Sequence, residues 1–176
     1  MKPTHPKQHH YVPRFYLERF VDGEGRVWAF DKSAGKVFTT SPSKLAREGG
    51  FYEAPAFGDE IDQTAMEGML SELEAEASAI IVRWTAVAGH VPPGTAVIEP
   101  AEREVFSLYL ATQAFRTPEM RVLLKQGLGD KHDVTNLQTF HVDMLAGTDI
   151  HEAAAAVSGF VWIIAWNDSG TPLLYL

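Results

Sequence analysis

Residues 61–87, which read IDQTAMEGMLSELEAEASAIIVRWTAV, decide the fold of this 176-residue chain. Their apolar side chains recur at gaps of three or four residues, at positions 61, 65, 66, 69, 70, 73, 77, 80, 81, 84 and 87. This spacing predicts one long amphipathic helix, which Gly89 and the Pro-Pro-Gly run at residues 92–94 then end. We therefore expect a predominantly helical body in which this helix is the longest element.

Four more helices are predicted downstream of it. The pair Thr117-Pro118 is typical of an N-cap followed by proline in the first helical position. Four consecutive alanines behind an acidic first turn favour the last helix. The predicted helices cover residues 100–116, 117–129, 130–145 and 149–157.

The two ends of the chain have sequence patterns typical of β-strands instead. Residues 26–31 and 36–39 are short apolar runs joined by a loop with Gly35 at its left-handed position, which predicts an N-terminal β-hairpin. Pro13 starts a short helix over residues 13–21, and residues 41–50 form a connector with room for one helical turn. Residues 159–176 predict a C-terminal β-hairpin. The fold class is therefore α+β, a helical body with two hairpins that are free to join in one small sheet.

The predicted organisation is a single domain over residues 1–176. Residues 1–50 form a basic N-terminal lobe with the hairpin, residues 51–158 the helical body, and residues 159–176 the C-terminal hairpin. The sequence stops on the apolar run Leu-Leu-Tyr-Leu within a predicted strand, which leaves an open edge. We therefore expect either that this strand pairs into the sheet of the N-terminal hairpin or that the chain is the front part of a longer family member. Residues 171–176 are also where a homodimer contact is expected.

Composition excludes several classes of protein. The chain is 45% apolar, with ten Phe and four Trp, which is enough to build a core and excludes disorder as its main state. It has no cysteine, which excludes a disulfide scaffold, a thiol nucleophile and thiolate zinc sites and fits a reducing compartment. No apolar run is long enough to span a membrane, and no signal peptide precedes the domain. We expect a soluble, cytoplasmic protein.

Charge is distributed unevenly along the chain. Residues 1–47 carry nine Lys/Arg against four Asp/Glu, whereas residues 48–80 carry nine acids and no base. The net charge of −8 argues against bulk binding of nucleic acid. The basic N-terminal lobe either docks on the acidic helix or engages an external protein or anionic ligand.

The opening segment, QHHYVPRFYLERF at residues 8–20, supplies the first candidate site. The imidazole of His10 titrates near neutrality and can act as a base or a metal ligand. A guanidinium group can bind an anion through two hydrogen bonds, so Arg14 and Arg116 are the candidate anion-binding residues beside His10. Alternatively, His10 and Arg116 bond loop backbone and hold the lobe to the body. Further candidate binding residues in the same segment are Gln8, His9, Tyr11 and Arg19.

A second cluster contains His132, His141 and His151 with carboxylates beside them. Imidazole and carboxylate together suit a divalent metal, so these histidines are secondary metal candidates. No pair has the spacing that places two ligands on one helix face, and His141 lies on an apolar stripe, which is typical of a core histidine. We predict no cofactor and leave a divalent metal open.

The opening motif resembles that of a mainly bacterial family labelled domain of unknown function 4238, which typically starts Gln-His-Tyr-Val-Pro-x-x-Tyr-Leu-x-x-Phe. His10 aligns with the single histidine of that family. Further points of similarity are the aromatic pair Phe51-Tyr52, the Glu-rich helix at residues 61–87, Arg116-Thr117-Pro118 and the Trp-containing strand at residues 160–166. Family members typically continue into a Ser-Asp-x-Pro segment, where this chain has Gly170-Thr171-Pro172. The resemblance implies no assigned activity.

Two functions stay open, and with them whether the chain is an enzyme. The first is a non-catalytic binding module that engages a protein or an anionic partner through its basic N-terminal lobe. The second is a hydrolase of phosphodiesterase or nuclease type, with His10 as base or metal ligand and with Arg14 and Arg116 on the anion. A nuclease of the HNH type also needs an Asn and a His soon after the first histidine, and the hairpin that follows carries neither.

Overall fold

We describe the protein from a computed structural model, which describes residues 8–52, 63–88, 90–92, 94–128 and 134–164. The N-terminal part contains four strands and one short α-helix in the order β1 (Gln8–His10), α1 (Arg14–Leu17), β2 (Val27–Asp31), β3 (Lys36–Thr40) and β4 (Arg47–Gly49). Five α-helices follow: α2 (Gln63–Ala88), α3 (Pro100–Phe115), α4 (Pro118–Leu128), α5 (Val134–Ala146) and α6 (Asp149–Gly159). Among the described residues, no helix is both long and apolar enough to cross a membrane.

The strands in the described ranges form two separate antiparallel pairs. Strands β2 and β3 pair with Trp28 opposite Thr39, and Gly35 adopts a φ of +62° in the loop, so the predicted N-terminal hairpin is confirmed. One face of this hairpin is open to solvent, since Trp28 is 63% exposed and Phe30 is 60% exposed.

The other pair, β1 with β4, was not predicted. His9 lies opposite Glu48 in it, and the N–H of Tyr11 donates to the carbonyl of Ala46 at 2.9 Å. Each strand is three residues long and largely polar, so neither shows the alternation that marks a strand in sequence. The connector predicted over residues 41–50 therefore has one 3₁₀ turn, Pro42–Lys44, followed by strand β4.

The predicted helices are confirmed within a few residues wherever the structure describes them. Helix α3 starts with a capping box, in which the side chains of Glu99 and Glu102 each accept a bond from the other residue's backbone N–H. Helix α4 begins after Thr117, whose hydroxyl accepts the N–H of Met120 at 3.3 Å. The short N-terminal helix is split into α1 and a 3₁₀ turn at Glu18–Phe20.

The main core joins the N-terminal part to the helical body. Phe51 and Tyr52, which follow β4, are buried against α2 and α5 side chains, namely Met66, Leu70, Val142 and Leu145. A smaller cluster of Ala111, Ile150 and Ala154 packs α3 on α6. The aromatic pair is therefore the point at which the strands are anchored to the helices.

The segment after α6 is held by a side chain of α3. Arg103 donates through Nε to the carbonyl of Ser158 at 2.9 Å and through its other nitrogen to the carbonyl of Phe160. Its guanidinium lies 4.8 Å from the ring centre of Trp162. Residues 160–164 have no strand in the described part of the chain, and of their backbone groups the Phe160 carbonyl bonds Arg103. The rest of the predicted C-terminal hairpin, residues 165–176, lies outside the described residues, as does the predicted dimer contact at 171–176.

Helices α2 and α3 are tied together by a charged hydrogen-bond network. Arg83 donates to both carboxylate oxygens of Glu102, and Trp84 Nε1 donates to Glu102 Oε2 at 3.1 Å. The Arg83 hydrogen bond, followed by those from Trp84 and Glu99, lowers the pKa of Glu102 to about 2. The folded state therefore favours the ionised carboxylate more than the unfolded chain does.

This network predicts an acid-dependent loss of stability. The contribution of Glu102 is complete above pH of about 4.5, its unfolded pKa, and is lost as the pH falls towards about 2. Glu102→Gln keeps a side chain suited to the capping box but removes the charge, so its melting temperature at pH 7 is expected to fall by about 2–4 °C. Thermal unfolding from pH 7 to pH 2 measures this, with exposed Glu104→Gln on the same helix as the control. A deficit in Glu102→Gln that does not shrink towards pH 2 contradicts the assignment.

Candidate functional site

A polar cleft of about 180 Å³ lies where the N-terminal segment meets helix α2. The N-terminal part and the aromatic pair contribute Gln8, His9, His10 and Tyr52 to its lining. Helix α2 contributes Glu67, Leu70, Ser71 and Glu74, and the end of α3 contributes Arg116. The opening motif, the aromatic pair, the Glu-rich helix and the Arg-Thr-Pro segment, which are far apart in sequence, therefore meet in one place.

Arg116 forms the buried end of this cleft, with only 3% of its surface exposed. Its guanidinium donates to Glu74 Oε1 at 2.6 Å, to the Tyr52 hydroxyl at 2.9 Å and to the backbone carbonyl of His10. Burial alone lowers the pKa of Arg116, but Tyr52 and Glu74 more than offset this, so the group stays charged. Arg116 therefore fastens β1, the aromatic pair and α2 to the end of α3.

The Tyr52 hydroxyl links Arg116 to the opening motif. Its hydroxyl accepts the Arg116 bond and donates to the carbonyl of His10 at 3.2 Å. Burial raises the pKa of Tyr52, so the hydroxyl keeps its proton as a donor. The carbonyl of His10 thus accepts two hydrogen bonds, one from Arg116 and one from Tyr52.

His9, rather than His10, places an imidazole between the aromatic pair and helix α2. Its Nδ1 accepts the backbone N–H of Tyr52 at 3.1 Å, and its ring stacks on the Tyr52 ring with centres 5.1 Å apart. Because Nδ1 is an acceptor, the imidazole proton lies on Nε2, which is 3.4 Å from Glu67 Oε1. His9 is therefore a buried, oriented imidazole with a carboxylate beside it.

The side chain of His10 lies in a different environment. Burial lowers its pKa, and the positive charges of Arg47 and Arg116 act in the same direction, against backbone groups of Pro42 and Ser43 that raise it. Within the described part of the chain, its Nε2 is buried without a hydrogen-bond partner. His10 and Arg116 are neighbours, but the contact between them uses the His10 carbonyl rather than the imidazole.

The other candidates from the opening motif lie outside the cleft, apart from Gln8. Arg14 has a side chain that is 64% exposed and pairs with Glu18 one turn later at 2.7 Å. The Tyr11 ring packs on the core ring of Phe51, with centres 5.8 Å apart. Arg19 reaches the carbonyl of Ser78 on α2 at 3.5 Å. These residues attach the lobe to the body or face solvent.

A second group of polar side chains, centred on Arg121 and the buried His141, holds the other side of the aromatic pair. The Arg121 guanidinium lies 3.9 Å from the ring centre of Phe51 and bonds Glu48 at 3.1 Å. It also donates through Nε to His141 Nδ1 at 3.2 Å, while His141 Nε2 bonds the carbonyl of Phe115 at 2.5 Å. Burial lowers the pKa of His141, and the charge of Arg121 lowers it further. His141 is thus a neutral, doubly bonded core histidine.

The described contacts do not place His132 or His151, the other two metal candidates, beside His141. His151 is exposed in the first turn of α6, beside a groove of about 530 Å³ between α3 and α6. His132 lies outside the described residues. In the described ranges, no three His, Asp or Glu side chains are grouped so that they could hold a metal ion.

Tyr52, Glu67 and Glu74 shape the cleft but were not among the candidate site residues. A partial signal was present, because Glu67 and Glu74 are seven residues apart and therefore share one face of a helix. Tyr52 carried no such signal, since its partners His9 and Arg116 are 43 and 64 residues away. Only the folded chain reveals that contact.

Comparison with known protein families agrees with the resemblance seen in the sequence. The model of a family described as "protein of unknown function (DUF4238)" matches residues 8–173, which is nearly the whole chain and includes every element that lines the cleft. No curated protein and no solved structure matches the sequence.

Proposed function

The chain belongs to the DUF4238 family of proteins of unknown function, and from that premise we propose that it is a non-catalytic binding module. The cleft between the opening motif and α2 is its binding site, and a protein partner is its ligand. The cleft is open to solvent and polar, and its volume of about 180 Å³ is below the range of about 300–1,000 Å³ of pockets for drug-sized molecules. A single side chain of a protein partner fits that volume better than a cofactor.

The contacts of Arg116 carry this proposal. An arginine that stabilises a transferring phosphoryl or phosphodiester group must direct its N–H groups at the substrate. Arg116 directs one N–H each at Glu74, Tyr52 and the His10 carbonyl, and is buried among them. These contacts support a role in shaping the site rather than in holding an anion. Arg14, the second arginine of the hydrolase hypothesis, pairs with Glu18 away from the cleft.

Filling the cleft tests the proposal directly. Ser71 is an exposed α2 residue at its edge, so Ser71→Trp should occupy the cleft and change the free energy of unfolding by less than about 0.5 kcal/mol. Exposed Ala75→Trp, one helical turn later, is the matched control. We expect partners that cross-link to the wild-type protein in an extract of its source cells to be lost with Ser71→Trp and kept with Ala75→Trp. Each partner is then purified and its affinity for all three proteins measured by calorimetry.

Two results would overturn the proposal. Partners that bind Ser71→Trp as tightly as wild type would show that the cleft is not the binding site. Metal-dependent hydrolysis of bis(p-nitrophenyl) phosphate by the wild-type protein, lost in His10→Ala while the fold is retained, would replace the binding module with the hydrolase.

A further inference from the structure

Helix α4 lies shallowly on the protein, and a single arginine connects it to three other parts of the chain. None of residues 118–127 is buried. Among the described hydrogen bonds from α4 side chains, those that reach β4, the aromatic pair and α5 come from Arg121. Its guanidinium donates to the carboxylate of Glu48, to the carbonyl of Phe51 and to Nδ1 of His141. Arg121 is therefore the side chain that holds α4 against the strands and α5.

One of these three acceptors is lost when its side chain takes up a proton. His141 Nδ1 accepts the Arg121 Nε–H at 3.2 Å, and its Nε2 donates to the carbonyl of Phe115, so the bonded imidazole is neutral. A proton on Nδ1 would place two N–H donors face to face and two positive charges in one contact, where His141 is 0% exposed. The bond between Arg121 and His141 therefore requires an unprotonated imidazole.

The surroundings of the imidazole favour its neutral form. The charged side chains that act on it are Arg121 on α4 and Glu48 on β4, and the Phe51 ring between these elements is uncharged. Burial, the largest cause, and the charge of Arg121 lower the pKa of His141 below its ordinary value of 6.5, against the Phe115 carbonyl and Glu48. The stability contributed by the neutral imidazole is thus complete above pH 6.5 and is lost as the pH falls through the folded pKa.

Arg121, rather than His141, is the group that can move when the imidazole is protonated. The Arg121 side chain is 18% exposed and that of its partner Glu48 is 46% exposed, whereas His141 has no exposed surface. The long arginine side chain can therefore swing towards solvent and keep its ion pair with Glu48. This movement deprives the Phe51 carbonyl of its donor and the Phe51 ring of the guanidinium 3.9 Å away. Helix α4 then loses its bonds to the aromatic pair and to α5.

We propose that Arg121 and His141 form an acid-sensitive switch, which holds α4 in place at neutral pH and releases it when His141 takes up a proton. The proton acts on a local contact, so α4 opens while α2 and α3 keep their packing. The Glu102 network between α2 and α3 is complete above a pH of about 4.5 and does not respond in the same range. A mildly acidic solution therefore frees α4 without unfolding the rest of the chain.

The test is amide hydrogen exchange of the full chain at pH 7 and pH 5, measured by mass spectrometry and corrected for the pH dependence of intrinsic exchange. The opening constant of residues 118–128 is expected to rise at least about fivefold at pH 5, because the open form binds the proton more tightly. That of residues 63–88 should change by less than about twofold. An NMR titration of the His141 ring should give a pKa below 6.5, at which the rise in the opening constant levels off.

His141→Gln removes the titration but keeps one acceptor and one donor on the side chain. It should abolish the pH dependence of α4 exchange, whereas His151→Gln, an exposed change on α6, should leave it as in the wild-type protein. His10, whose pKa burial also lowers, still titrates in both variants. A rise that persists in His141→Gln would therefore assign the effect to another group and overturn the switch.

Arg121→Met keeps an apolar stem over Phe51 and serves as a second variant if His141→Gln perturbs the fold. Because it lacks the guanidinium, its opening constant for α4 at pH 7 should exceed that of the wild-type protein at least about fivefold. Two results in the wild-type protein contradict the proposal. One is an opening constant of α4 that is the same at pH 7 and pH 5, and the other is a rise that is equal in α2 and α4, which would indicate global unfolding.

Discussion

Arg116→Ala is expected to lower the free energy of unfolding by about 3–5 kcal/mol. The substitution leaves three acceptors without their guanidinium donor, namely the carboxylate of Glu74, the hydroxyl of Tyr52 and the carbonyl of His10. Breaking a buried ion pair from one side costs this much because the remaining charge and polar groups are left without partners. Urea denaturation at pH 7 measures the effect.

Arg14→Ala is the matched control, because both arginines are candidates in the hydrolase hypothesis but only Arg116 is buried. Arg14 is exposed and pairs with Glu18, so its loss should change the free energy of unfolding by less than about 0.5 kcal/mol. Arg116→Lys keeps the charge but has fewer donors, so we expect a value between those of Arg116→Ala and wild type. A cost below about 1 kcal/mol for Arg116→Ala would contradict the role of Arg116 as a fastening residue.

Phe51→Ala is expected to be as costly, at about 3–5 kcal/mol. The Phe51 side chain is 0% exposed and lies in the core cluster that joins β4 to helices α2 and α5. Its removal leaves a cavity and also deprives the Arg121 guanidinium of the ring beneath it. Thermal and urea unfolding should both show the loss.

Phe30→Ala provides the control for this prediction. Phe30 is 60% exposed on the open face of the β2–β3 hairpin, where its partner is Val37 on the opposite strand. Its loss should cost less than about 1 kcal/mol, the upper range of a cross-strand pair. Similar costs for both phenylalanines would mean that the aromatic pair does not anchor the strands to the helices.

Helices were predicted well from sequence because their signals are local. In α2 the apolar spacing repeats over seven turns, and α4 begins at the predicted Thr117-Pro118 cap. The N-terminal hairpin also carried a local signal in Gly35. Strands β1 and β4 were missed because three polar residues have no pattern of their own, and their pairing joins Gln8 to Gly49 across the chain.

The candidate site was predicted in part. The sequence pointed to the opening motif and to Arg116, and the structure places both at the cleft. It did not indicate that His9 supplies the oriented imidazole or that the partners of Arg116 are Glu74 and Tyr52. Those roles depend on which way adjacent side chains face in β1, and a single strand of three residues does not reveal its register.

The contact between Arg116 and the His10 carbonyl also has a consequence for the order of events during protein synthesis. The two residues are 106 positions apart. At about 5–20 residues per second, a ribosome needs roughly 5–20 s to add the residues between them. From the addition of Tyr52 until that of Arg116, the nascent chain has β1 and Tyr52 without the guanidinium that fastens them. A translation product that stops before Arg116 therefore lacks the side chain that fastens β1 and Tyr52 to α2, so the cleft is completed only after about two thirds of the chain has been made.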